Sequence, residues 1–201
     1  MRRRHVVSGL IAAALGGCSV LPSQPYMQRR DWPLAVRRPD TVPGRPDGRV
    51  LLVRTMQAGP GMDTRGLQTL QKDGSLQTAF YEQWSTPPTE AVDDDLRRWL
   101  ADSSLFAAIL ATGSRMTADL VLESELVALH ADLGSGTARA TVAFVLIDQR
   151  SGTARIRLER TESASVKLEG TDPPALVRAQ QAAVTEVLRQ IEADLAGALR
   201  A

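Results

Sequence analysis

The sequence predicts an α+β domain: a single mostly antiparallel sheet of about six strands, with two long helices packed on one face. Three observations predict it. Apolar and polar residues alternate through Leu120–Val127, Ala138–Leu146 and Arg155–Glu159, with turn signals at Gly134-Ser135-Gly136 and Ser151-Gly152, as in an antiparallel meander facing a core. Apolar stripes at helical spacing occur twice, over Val92, Leu96, Trp99 and Leu100 and again over Val177, Val184, Leu188, Ile191, Leu195 and Leu199. The stretch from Arg49 to the end has the length of one ordinary domain and shows no internal repeat.

The chain begins differently. Arg2, Arg3, Arg4 and His5 precede an apolar run, Val6–Leu15, that is too short to span a hydrocarbon core of ~30 Å at ~1.5 Å per residue. A positive start, a short apolar run and small residues make the layout of a secretory signal, so residues 1–17 read as a signal peptide. Leu15-Gly16-Gly17-Cys18 then resembles the lipobox of bacterial lipoproteins, with cleavage before Cys18. That resemblance implies diacylglycerol on the Cys18 thiol and a further acyl chain on its amine, enough for stable anchoring and the only attached group expected. Ser19 follows, where an aspartate would suggest inner-membrane retention; the usual sorting pattern favours the outer membrane, facing the periplasm.

Residues 18–48 read as a tether. Six of the eleven prolines lie here (Pro22, Pro25, Pro33, Pro39, Pro43 and Pro46), a density that blocks helix and sheet ladders. Fully extended, such a segment reaches on the order of 90 Å at ~3.1 Å per residue. Its pairs Arg29-Arg30 and Arg37-Arg38 solvate a linker or touch anionic head groups. Tyr26 and Trp32 are its least linker-like residues and are candidates to dock back on the domain.

The domain, 49–201, opens with a nearly all-apolar strand around Val50–Val53, a pattern of burial on both faces. Gly59-Pro60-Gly61 makes a turn, and Leu67–Gln71 pairs with Leu76–Trp84 across an Asp73-Gly74 hairpin. Pro87-Pro88 ends that strand and opens the first helix, whose Asp93, Asp94, Asp95, Arg97 and Arg98 read as its solvated face. Phe106–Leu110 is a short apolar segment, a brief strand or the end of a helical hairpin. After the meander, Asp172 caps the last helix, with Pro173 in its first position.

Chemistry is sparse. Without residues 1–17 the chain keeps 21 basic and 23 acidic residues, a balance of −2 that gives no footprint for nucleic acid. One cysteine excludes an internal disulfide and a thiolate metal cluster. His130 is a lone histidine near a strand end, and no G-x-S-x-G elbow accompanies it. Glu123 and Glu125 share a sheet face about 7 Å apart, a spacing open to paired carboxylates but commoner for solvent-facing acids, which Arg155 and Arg157 can pair. No catalytic residue and no metal site is expected.

Several stretches together resemble the ABC-type transport auxiliary lipoproteins, the group that includes the paraquat-inducible protein C lipoprotein. They are the lipobox Cys18, Pro25-Tyr26, Val50–Val53, the run Gln77-Thr78-Ala79-Phe80-Tyr81-Glu82-Gln83-Trp84-Ser85-Thr86-Pro87-Pro88, Leu96–Leu100, Phe106, Ala118–Leu126 and the Ala-rich last helix. The resemblance implies an auxiliary component of an envelope lipid transporter that docks a periplasmic MCE-domain protein, served by an ABC permease and ATPase, at the membrane. Tyr81 and Trp84 are then candidate partner-binding anchors, with packing beside the first helix as the other reading. Two alternatives stand beside it: a periplasmic lipid carrier enclosing an acyl-chain cavity, and an envelope hydrolase using Glu123 or His130. A homo-oligomer is compatible with the sequence, and nothing in the pattern specifies one.

Overall fold

The computed structural model describes residues 27–42, 48–150 and 152–200; Cys18, the signal segment and Tyr26 lie outside them. In chain order the elements are β1 (Arg30–Trp32), β2 (Val50–Val53), β3 (Gln57–Ala58), β4 (Gly66–Leu70), β5 (Leu76–Trp84), α1 (Pro88–Asp102), β6 (Ala108–Ala111), β7 (Leu120–Asp132), β8 (Thr137–Asp148), β9 (Arg155–Lys167) and α2 (Pro173–Arg200).

Strand β7 organises the sheet through its two edges. One edge pairs antiparallel with β8 along its length, and β8 pairs in turn with β9, giving the meander that the alternation predicts. The other edge needs partners for its own N–H and C=O groups. Three short parallel strands supply them in succession as residues 50–70 travel beside it. Leu51 lies opposite Leu120, Gln57 opposite Glu125, and Thr69 opposite Ala131. A bulge at Val127 shifts the phase so that Leu126 and Leu129 both face the core. Beyond these strands β6 joins β2, β5 joins β4, and β1 joins the last three residues of β5.

The expected sheet of about six mostly antiparallel strands is therefore corrected: it is one mixed sheet of nine strands, with five of its pairings parallel. Alternation reports which face of a strand is buried, and it carries no information on the direction of the neighbour. β1 and β3, at three and two residues, are too short to show a period.

One core unites the two helices with one sheet face. Val92, Leu96, Trp99 and Leu100 of α1 and Val184, Leu188, Ile191 and Leu195 of α2 pack with Leu122, Leu126, Val142, Phe144 and Leu146. The space between helices and sheet is filled by these side chains together with Trp84.

Part of the predicted tether lies in this core. After β1, residues 33–42 cross the helices as a strap, with Leu34 and Val36 buried. The Val36 N–H donates to Asp95 Oδ2 at 2.9 Å, Arg38 Nε pairs with Glu192 Oε2 at 3.0 Å, and the Val42 N–H donates to Asp102 O at 3.0 Å. The strap covers Asp95 of α1, while Asp93 lies against the backbone of Met56. Asp93 and Asp95, read as part of a solvated face, are buried, and burial pushes both carboxyls upward in pKa against the pull of Arg97 and Arg98.

Candidate functional site

β5 is built to end in the core and to begin outside it. Trp84, its last residue, is 1% exposed and closes the sheet against the helices. Toward the hairpin the strand runs past the core, and Leu76, Phe80 and Tyr81 stand exposed, Phe80 at 68% and Tyr81 at 38%. β1 pairs only with Glu82, Gln83 and Trp84. From Leu76 to Tyr81 the outer edge of β5 has no strand partner among the described residues.

The two aromatics form a unit. The Phe80 and Tyr81 rings meet edge-to-face, with centroids 5.0 Å apart at 83°. The Arg29 guanidinium lies 4.7 Å from the Phe80 centroid, and Met27 is exposed two residues earlier in the chain. Behind them Glu82 anchors the entry of the strap: its Oε1 accepts from Arg30 Nε at 2.8 Å, and its Oε2 from Trp32 Nε1 at 2.7 Å. Trp32 thus docks on the domain, as its residue type suggested. Gly66 lets β4 and β5 approach here, because a Cβ on it would meet Thr78 Cγ2 at 2.5 Å and also the Ala79 carbonyl.

Of the two predicted anchors, then, only Tyr81 offers a surface; the Trp84 side chain is sealed inside. Phe80 is more exposed than either, although it shares strand parity with the buried Trp84. β5 slips its register against β4 between Thr78 and Gln83, so alternation does not carry from Trp84 back to Phe80, and its ring faces solvent.

The residues weighed for catalysis do not converge. Glu123 Oε1 pairs with Arg54 Nη1 at 2.8 Å on the open sheet face. Arg155 and Arg157 are separated from it by β8, and Arg157 pairs with Asp148 instead. His130 is half-buried, and its pKa is lowered by burial first, with Arg139 adding to the effect and Asp132 opposing it. Among the described residues no three His, Cys, Asp or Glu side chains converge to hold a metal ion, and no helix is long and apolar enough to cross a membrane.

Comparison with known proteins adds to this geometry. A family model described as "ABC-type transport auxiliary lipoprotein component" matches residues 32–192. No curated protein matches the chain. Among solved structures, a Xanthomonas campestris protein of the family described as DUF330 superposes with a TM-score of 0.70 at 21% identity, covering 84% of this chain and 96% of its own. An uncharacterised protein superposes at 0.63 with 13% identity, over 83% and 99% of the two chains. A hypothetical protein from Chlamydia trachomatis gives 0.55 at 12% identity, over 76% and 98%. At these identities the three share the fold with this chain, and nothing more is taken from them.

Proposed function

We propose a function that starts from family membership: this chain belongs to the ABC-type transport auxiliary lipoprotein components. As such it is a cell-envelope protein associated with an ABC-type transport system. On our reading Cys18 carries the acyl chains that hold it at the periplasmic face of the outer membrane. The domain there docks a periplasmic MCE-domain protein that works with an ABC permease and ATPase.

The observation that carries the docking role is the Phe80–Tyr81 pair on the unpaired half of β5. Rigid aromatic side chains held on a sheet lose little entropy on binding, and they recur as the anchors of interfaces. The free strand edge beside them adds backbone donors and acceptors that a partner segment can use. A carrier that encloses an acyl chain finds no support in the interior, which Trp84, Trp99, Phe144 and the core leucines fill.

Affinity capture with the full-length chain tests the reading. The wild type is expected to recover an MCE-domain protein and its permease or ATPase, and Phe80→Ser with Tyr81→Ala to reduce recovery about tenfold or more. Repeated capture without any transporter subunit overturns it. Cys18→Ser is expected to move the protein from the membrane to the soluble fraction of the envelope, and an unchanged distribution would refute the anchor.

A further inference from the structure

The meander ends at β9, whose inner edge pairs with β8 and whose outer edge has no strand partner among the described residues. The ladder fixes which backbone groups that outer edge presents. The Leu168 N–H donates to Gly136 O at 2.9 Å, one step beyond the Thr137–Lys167 pair. In an antiparallel ladder this makes Thr137 and Lys167 a non-hydrogen-bonded pair, so the N–H and C=O of Lys167 point away from β8. Pairing runs without a shift from Lys167 back to Leu158, and alternation gives the same outward direction at Ser165, Ser163 and Thr161.

Edge strands are commonly blunted by charge, proline or a bulge. From Thr161 to Val166 the strand has no proline, and Glu162 is its one charged residue. The register shift against β8 lies outside this stretch, at Arg157. α2 passes over the strand without closing the edge. Its Ala175, Ala179 and Ala182 are small, and with Val166 they border a hollow of about 220 Å³.

The helix side of the edge carries opposite charges at its two ends. At one end Glu162 meets Asp194 of α2, and neither acid has an ion-pair partner among the described residues. Arg160, whose charge acts on Glu162, donates to the Glu159 carbonyl instead. At the other end Arg178 borders the hollow beside Val166, together with Lys167 and Glu169, and its guanidinium has no partner among the described residues. An antiparallel neighbour of the same sequence reverses this order, so each acidic end meets a basic one. A two-fold axis at Ala164 sets Ser163 opposite Ser165, Thr161 opposite Lys167, and Glu162 opposite Val166 under Arg178. The outward N–H and C=O groups of both chains then face each other in hydrogen-bonded pairs. Centring on Ser163 sets Arg160 opposite Val166, cation toward Arg178, and centring on Ser165 moves Glu162 past the strand end, opposite Leu168.

We propose that the outer edge of β9 is the interface with a second copy of this chain, paired antiparallel about Ala164 into one continuous sheet, with Arg178 of each copy facing Glu162 and Asp194 of the other. The proposal goes beyond the docking role without depending on it, because the β5 edge stays free in the dimer. Failed capture of a transporter leaves it standing, and its own failure leaves the docking role intact.

The test uses the full-length chain in envelope membranes and in nonionic detergent. Ser163→Cys combined with Ser165→Cys is expected to give a covalent dimer on mild oxidation, since opposed residues of a hydrogen-bonded pair lie within disulfide reach. The parent, whose only cysteine is Cys18, sets the background. Each single variant is expected to stay at that background; a dimer from either alone would overturn the pairing about Ala164. Ser163→Pro removes an outward N–H that the β8 ladder does not use. It is expected to keep the far-ultraviolet circular dichroism and to sediment as a monomer where the wild type sediments as a dimer. Arg178→Glu is expected to weaken association about tenfold. A monomeric wild type, no cross-link in the double variant, or a dimer untouched by Ser163→Pro would overturn the interface. Larger assemblies lost with Tyr81→Ala would mean that β9 meets the β5 edge of the next copy, and would overturn it too.

Discussion

The backbone N–H of Val36 donates to Oδ2 of Asp95, a carboxylate that is 0% exposed on α1. Arg98 pairs with its other oxygen, so the buried charge is held from two sides. This contact ties a proline-rich segment, which has no ladder of its own, to a helix 59 residues further along the chain.

Asp95→Ala leaves the Val36 N–H buried without an acceptor and is expected to cost about 1–3 kcal/mol, read by denaturant unfolding. Asp95→Asn keeps an acceptor oxygen and should cost less. Trypsin cleavage after Arg37 should accelerate in the Ala variant. Unchanged stability and unchanged cleavage would show that the strap is held elsewhere.

Trp84 and Tyr81 separate stability from binding. Trp84→Ala removes a buried indole and is expected to destabilise by about 3–5 kcal/mol. Tyr81→Ala should stay within about 0.5 kcal/mol of the wild type in thermal unfolding. A Tyr81 variant as unstable as the Trp84 variant would place Tyr81 in the core and remove it from any interface.

At Gly66 the added Cβ of alanine meets backbone as well as the Thr78 methyl, and backbone does not step aside. Gly66→Ala should cost about 1–3 kcal/mol by forced displacement. Hydrogen exchange should show the loss first in the amides of β4 and β5. Loss spread evenly over β7–β9 would contradict a local clash.

Glu162 on β9 has its pKa raised, by burial first and then by the charge and hydrogen bond of Asp194 on α2. For an acid the sign is fixed. A raised folded-state pKa contributes stability that is present below the unfolded value, about 4.3, and is lost as pH rises through the folded value. Glu162→Gln should therefore raise the melting temperature at pH 7 and flatten its fall between about pH 4 and pH 7. The gain should vanish near pH 3, where Glu162 is protonated in the folded and the unfolded chain alike. A variant less stable at pH 7 would mean that the ionised pair is compensated.

Much of this was legible in the sequence because it depends on period. The stripe Val92–Leu96–Trp99–Leu100 is buried as its spacing requires, the 72–75 turn joins an antiparallel pair, and β7, β8 and β9 run longer than predicted but in the predicted order. The apolar run Val50–Val53 signalled an interior strand, and β2 lies between β6 and β7. What was not legible depends on distant parts of the chain. The pairing of β1 with Glu82–Trp84, the burial of Asp95 under Val36 and the register break in β5 around Phe80 each depend on a distant strand or segment that no local pattern encodes. At the candidate site the sequence leaves Tyr81 and Trp84 each open between an exposed anchor and packing beside the first helix; Trp84 packs in the core and Tyr81 is exposed, while Phe80 and Arg29 carry no local signal of their exposed contact.

Because β1 and the strap together occupy residues 30–42, only residues 18–29 separate the proposed anchor from the folded surface, a covalent reach of at most about 40 Å. That arrangement has a mechanical side. Under the proposed anchor at Cys18, tension would enter at Arg30 and meet the β1–β5 pairing first, then the Val36–Asp95 bond, then the Arg38–Glu192 pair. These links lie in series along the chain between Arg30 and β2. Their release pays out about another 40 Å of chain. With the proposed anchor, residues 30–42 would then act as a reserve of chain that lengthens under pull, at the cost of β1 alone among the nine strands.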